Sequence, residues 1–176
     1  YGDPSLGMDA DGLAACAERP GAGPVAPDQE VRVPKRIAIV PFREVYPEEV
    51  SGRSARCPIC GAVFSVEPMT AGSASVVEAE FVRRLEKSGR FDLVPSDRVQ
   101  AVYQRAEAAS FKQTPRQILK AVGEDLSADG IVAGYVYRFR ERQGYPYAAE
   151  RPASVAFEMH LIRSPDGVSV WRGIFD

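Results

Sequence analysis

The run Lys35-Arg36-Ile37-Ala38-Ile39-Val40-Pro41-Phe42 constrains this chain most, because it is apolar without alternation, rich in β-branched residues and bounded by charges and proline. A strand of that kind is buried on both faces, so it needs a covering layer on each side. The residues that follow supply such layers. Val77, Phe81 and Leu85 recur every four residues after Ser73, which is expected to cap a helix, and Gly89 supplies a left-handed stop. Phe91-Asp92-Leu93-Val94 reads as a short strand. Ser96 is then expected to cap a second helix with Val99, Val102, Tyr103 and Ala106 on its apolar side.

Thr114-Pro115-Arg116-Gln117 combines an N-cap residue, proline at the first helical position and the glutamine of a capping box, ahead of Ile118, Leu119, Val122 and Leu126. From Ile131 to Arg140 the odd positions form one apolar strand face, with Gly134 allowing close approach on the other; an edge or near-edge position is expected. Val155, Phe157, Met159 and Leu161 alternate with Ala156, Glu158, His160 and Ile162, which predicts a strand with the first set as its apolar face. Ser164-Pro165-Asp166-Gly167 then turns the chain into Val168–Trp171, making an antiparallel hairpin. The fold class that follows is α/β (α+β): a mixed sheet of about five strands, with a parallel βαβ start, an antiparallel C-terminal meander and about three helices packed on the sheet. Residues 1–34, rich in Pro, Gly and Ala, read as a flexible tether, and 35–176 as a single domain with a long loop at 43–73. Trp171–Asp176 is still strand-like, which suggests that the chain continues beyond it.

Charge and hydropathy exclude several roles. Lys and Arg number 22 against 24 Asp and Glu, without a dense basic cluster, which argues against nucleic acid as a partner. No apolar stretch approaches the ~18 residues of a membrane-spanning helix. Val40-Pro41-Phe42-Arg43-Glu44 carries neither the glycines nor the lysine of a phosphate loop.

Three segments carry a family resemblance: Arg36–Phe42, Leu85-Glu86-Lys87-Ser88-Gly89-Arg90-Phe91-Asp92-Leu93-Val94, and Ala128–Val136. Together they resemble a group of bacterial envelope lipoproteins that includes the curli secretion lipoprotein, the lipoprotein activators of penicillin-binding proteins and the amino-terminal domain of TolB. The likeness spans roughly 35–176 and implies a non-enzymatic binding or assembly subunit of a cell-envelope complex, located in the periplasm and anchored to the outer membrane. Leu13-Ala14-Ala15-Cys16 in turn resembles a lipobox, which implies an acyl anchor on Cys16. The residues ahead of it, including Asp3, Asp9 and Asp11, lack the apolar core of about 7–15 residues in a signal peptide. Two readings stay open: a replaced leader, or a free thiol in the tether.

Cys57-Pro58-Ile59-Cys60-Gly61 is the sharpest local motif. Two thiols at that spacing close a small disulfide, hold two corners of a tetrahedral metal site, or act as a redox pair. A closed zinc site needs two further ligands, and a count of Cys and His offers only Cys16 and His160, so no metal and no cofactor are expected. A redox pair belongs at a helix start, whereas Ala62-Val63-Phe64-Ser65-Val66 reads as extended. The expected state is a Cys57–Cys60 disulfide stapling the loop in an oxidising compartment, or a pair of plain reduced thiols in the cytosol, with thiol-redox or metal-binding function as the alternative. Glu158 and His160 share a strand face, read as half-exposed and polar and without a catalytic role. The aromatics Tyr145 and Tyr147, in a connecting loop, are candidate anchors for an envelope protein partner. A ring-like homo-oligomer is the third reading.

Overall fold

The structure is a computed structural model, and it describes residues 34–47, 52–145 and 147–176. The tether expected over 1–34, apart from Pro34, and Cys16 within it lie outside the described residues. Strands β1 (Arg36–Ile39) and β2 (Arg43–Glu44) are followed by β3 (Ser54–Arg56) and β4 (Val63–Ser65), then by helix α1 (Ser73–Ser88). Next come β5 (Asp92–Leu93), α2 (Ser96–Ala109), α3 (Pro115–Leu126) and the long β6 (Gly130–Arg140). A small hairpin of β7 (Gln143–Tyr145) and β8 (Ala148–Arg151) precedes β9 (Ser154–Arg163) and β10 (Ser169–Phe175).

The main sheet runs β10-β9-β6-β1-β5, with β2 also pairing β6. The β5, β1, β2 and β6 pairings are parallel, while β6–β9 and β9–β10 are antiparallel. This is the mixed sheet that the sequence predicts. The parallel connections dictate where the helices go. From β1 the chain steps one way to β5 through α1, and from β5 it steps back past β1 to β6 through α2 and α3; right-handed crossovers therefore put α1 on one face and α2 and α3 on the other. The strand β6 lies between β1 and β9, so the edge position expected for it is corrected to an interior one. Its eleven residues give every neighbour a full-length partner.

Two clusters form the core. Ala38, Val40, Ile131, Ala133, Tyr135, Tyr137 and Ile162 meet α2, α3 and the β3–β4 hairpin on one side. Ile37, Ile39, Phe42, Val132, Val136 and Met159 meet α1 on the other. Alternate residues of β1 thus enter different clusters, as a strand buried on both faces requires. Asp129 ties the strand's entrance, its carboxylate accepting from the Lys35 and Arg36 amides at 3.1 and 2.9 Å.

The helix ends follow local chemistry. The capping box of α3 is complete: Thr114 Oγ1 accepts from the Gln117 amide, and Gln117 Oε1 accepts from the Thr114 amide. Gly89 closes α1 in the left-handed conformation. Ser73 and Ser96 are the first helical residues, one position after the caps Gly72 and Pro95, and neither cap makes a side-chain hydrogen bond. Ser73 instead donates to the Thr70 carbonyl. The helix is capped from outside the segment, by the Glu44 carboxylate at the Ala74 amide.

Candidate functional site

The loop between β2 and α1 contains the β3–β4 hairpin, and its tip is Cys57-Pro58-Ile59-Cys60-Gly61. The Gly61 amide donates to the Cys57 carbonyl and the Cys57 amide to the Ala62 carbonyl, at 2.9 and 2.8 Å, so the tip is a closed knuckle. The Ile59 amide points at Cys57 Sγ from 3.4 Å. Three contacts press the knuckle onto the sheet. Phe64 stacks on Tyr137 of β6, the Glu67 amide donates to the Tyr137 carbonyl, and Arg116 at the start of α3 donates to the Ile59 carbonyl.

This docking brings together residues about a hundred positions apart. Cys57 Sγ stands 3.3 Å from His160 Nε2, and Cys60 Sγ donates to Glu158 Oε1 at 3.3 Å. His160 Nε2 is 3.2 Å from Glu158 Oε1. The four donor atoms all lie within 4.8 Å of one another. Cys57, Glu158 and His160 are buried and Cys60 partly so. Further groups hold them: Tyr137 donates to Glu158 Oε2 at 3.0 Å, Arg172 of β10 donates to Oε1, and His160 Nδ1 is 3.1 Å from Ser169 Oγ. Among the described residues no buried side-chain nitrogen or oxygen lacks a partner.

Two expectations are corrected here. Cys57 and Cys60 are not joined by a disulfide in this structure; each sulfur turns to a different residue of β9. Glu158 and His160, read as a half-exposed face, are among the most buried side chains of the protein. They lie under the knuckle, whereas the more apolar set, Val155, Phe157, Met159 and Leu161, faces the α1 side, where Val155 is exposed. The count that allowed only two zinc ligands missed Glu158, a residue the sequence had already paired with His160.

The electrostatics are those of a closed site. Burial pushes the Cys57 thiol well above its ordinary value, and its hydrogen bond to Glu158 adds to this. Burial also acts to raise Glu158, but hydrogen bonds from His160, Cys57 and Arg172 outweigh it and hold the carboxyl well below the usual carboxylate range. A protonated, buried thiol is a poor nucleophile. A Cys-His-carboxylate relay also needs the thiol and the carboxylate on opposite ring nitrogens. Here both face Nε2, and Nδ1 is taken up by Ser169. The cluster is arranged to hold rather than to react.

A second feature lies on the other face of the sheet. There, among the described residues, α1 is the one helix packed on the sheet, and a cleft of about 620 Å³ opens between it and the strands β9 and β10. Val76, Phe81, Val155, Phe157, Trp171 and Phe175 are among its walls, and Phe157 and Phe175 stack at 4.6 Å. Tyr145 and Tyr147, the expected partner anchors, are both exposed at the β7–β8 hairpin, and neither is among the residues that line the cleft.

No family model matches the chain, and no curated protein matches it. Among solved structures it is similar to lipoprotein GNA1162 from Neisseria meningitidis, at 12% identity and a TM-score of 0.49, with 81% of each chain covered. It is also similar to the C-terminal domain of LpoB from Escherichia coli, at 12% identity and a TM-score of 0.47, covering 80% of this chain and 79% of that one. A third neighbour, XCC0632 from Xanthomonas campestris, shares 17% identity at a TM-score of 0.40, with 81% and 65% covered. The first of these neighbours is described as a lipoprotein.

Proposed function

We propose that this chain is a non-enzymatic accessory protein of the bacterial cell envelope, whose domain binds an extended apolar segment of a protein partner along β10 and in the cleft beside α1. The observation that carries this reading is the cleft and its rim. Val76, Trp171 and Phe175 are large apolar residues exposed together around it. Such patches on otherwise charged domains favour association. Strand β10 ends the sheet, and among the described residues no strand pairs with its outer edge, so its backbone offers hydrogen bonds to an added strand while the cleft takes alternate side chains. The resemblance to envelope lipoproteins supports a periplasmic location, with residues 1–34 as the tether and an acyl chain on Cys16 as the outer-membrane anchor. Tyr145 and Tyr147 form a second contact area in this reading.

A photo-crosslinking residue placed at Trp171 in the full chain, expressed in its own envelope, tests the cleft. The expected result is one heterologous adduct, lost on Phe175→Asp and absent when the same residue replaces exposed Lys112. An adduct of twice the chain mass would turn the reading to self-association through β10, and no adduct from Trp171 would overturn it. Intact mass of the membrane-purified protein tests the anchor: a diacyl or triacyl chain beginning at Cys16 is expected.

A further inference from the structure

We propose that Cys57, Cys60, His160 and Glu158 form a structural zinc site, which clasps the β3–β4 knuckle to β9 of the main sheet. Tetrahedral Zn²⁺ takes sulfur at about 2.3 Å and imidazole nitrogen or carboxylate oxygen at about 2.0–2.2 Å, so its donors stand roughly 3.3–3.8 Å from one another. The contacts of 3.3, 3.2 and 3.3 Å between neighbouring donors are close to that spacing, and no pair exceeds 4.8 Å. A metal needs little movement to enter. The set of two sulfurs and an imidazole selects a borderline-soft ion such as Zn²⁺ over Mg²⁺ or Ca²⁺.

The surroundings are those of a metal site as well. His160 presents Nε2 to the thiols because Nδ1 is occupied by Ser169, the kind of outer contact that orients a ligating imidazole. Tyr137 fixes the far oxygen of Glu158, leaving Oε1 toward the sulfurs. Two thiolates and a carboxylate around Zn²⁺ leave one net negative charge, and the Arg172 guanidinium beside Glu158 neutralises it. Binding releases the two thiol protons to solvent and changes no oxidation state. All four positions are filled by the protein, which is the pattern of a structural rather than a catalytic zinc.

The test uses the full chain, reduced and freed of metal, titrated with Zn²⁺ and in parallel with Co²⁺, and read by native mass spectrometry and visible absorption. One Zn²⁺ per chain is expected, with the intense tetrahedral bands and thiolate-to-metal charge transfer in the Co²⁺ form. His160→Ala and Cys60→Ser weaken Zn²⁺ binding by more than about a hundredfold, and Ser169→Ala by about tenfold or more. Cys16→Ser leaves binding unchanged. Circular dichroism of each apo variant separates loss of a ligand from loss of the fold; Cys60, partly exposed, is the substitution the core tolerates best. A reduced wild-type chain that takes up no Zn²⁺, an octahedral Co²⁺ spectrum, or a folded Cys60→Ser variant binding as tightly as wild type would each overturn the proposal. Loss of binding in Cys16→Ser would overturn the assignment of ligands.

Discussion

The ring of Phe64 lies on the ring of Tyr137, with centroids 4.1 Å apart and planes 14° from parallel. Phe64 belongs to β4 of the knuckle hairpin and Tyr137 to the central strand, so this stack is the apolar counterpart of the polar cluster beside it. Replacing Phe64 with Ala removes a pair contact worth about 0.5–1.5 kcal/mol together with part of its burial, for a loss of about 2 kcal/mol. The same change frees the knuckle, so Cys57, now buried, becomes reactive toward a thiol reagent in the metal-free protein. Urea denaturation and labelling rates measure both; unchanged labelling would mean that the hairpin is held without the stack.

On the α1 side, Phe42 occupies the space of an absent side chain. A Cβ at Gly134 would stand 2.5 Å from two carbons of the Phe42 ring. Gly134→Ala is therefore an overpacking change and costs about 1–3 kcal/mol. Coupled with Phe42→Leu it costs less than the two changes added, because the smaller side chain yields the contested volume. A double-mutant cycle in denaturant reads that coupling, and additivity would place the strain elsewhere.

These two contacts show what the sequence made legible. Gly134 in a strand pattern announced close approach from its own identity, and the unbroken apolar run at β1 announced a layer on each face. The α3 capping box was legible because its three residues are adjacent. The cluster at Cys57 was not, since its four groups come from the knuckle and from β9, and periodicity within one strand cannot reveal what covers it. Polarity even pointed the wrong way there. Glu158 and His160 are buried because Tyr137, Arg172, Ser169 and two thiols satisfy them, while Val155 and Phe157 border the cleft because, among the described residues, α1 is the one helix on that face.

Glu44 makes the stability dependent on acid. Its carboxylate accepts from Tyr46 Oη at 2.6 Å and from the Ala74 amide at the start of α1, and these bonds, Tyr46 first, lower its pKa. A depressed folded pKa means that the stabilisation is complete above the unfolded value near 4.5 and is lost as pH falls through the folded one. Glu44→Gln should then cost about 0.5 kcal/mol at pH 7, the scale of a charge at a helix amino terminus. The difference from wild type should narrow as the pH falls below the unfolded value near 4.5. Thermal unfolding of both proteins at pH 7 and pH 3.5 checks this, and an equal gap at the two pH values would remove Glu44 from the cap.

Trp171 is the one tryptophan in the sequence, so its fluorescence reports on the cleft alone. Its ring lies across Gly173, where an added Cβ would meet the ring at 2.5 Å and Phe175 at 3.1 Å. Gly173→Ala must lift the indole out of that seat toward solvent, because the neighbouring Phe175 is stacked on Phe157 and cannot yield in its place. The emission should move to longer wavelength with little change in stability, since Gly173 lies on an edge strand outside both core clusters. A partner segment seated in the cleft of the wild type covers the half-exposed indole and moves the emission the other way. The Gly173→Ala variant, its wall displaced, should bind that segment about tenfold or more weakly, the loss expected when one aromatic anchor worth about 1.4 kcal/mol is misplaced. Binding without any change in Trp171 emission would place the partner on another surface, with the exposed Tyr145 and Tyr147 the next to substitute.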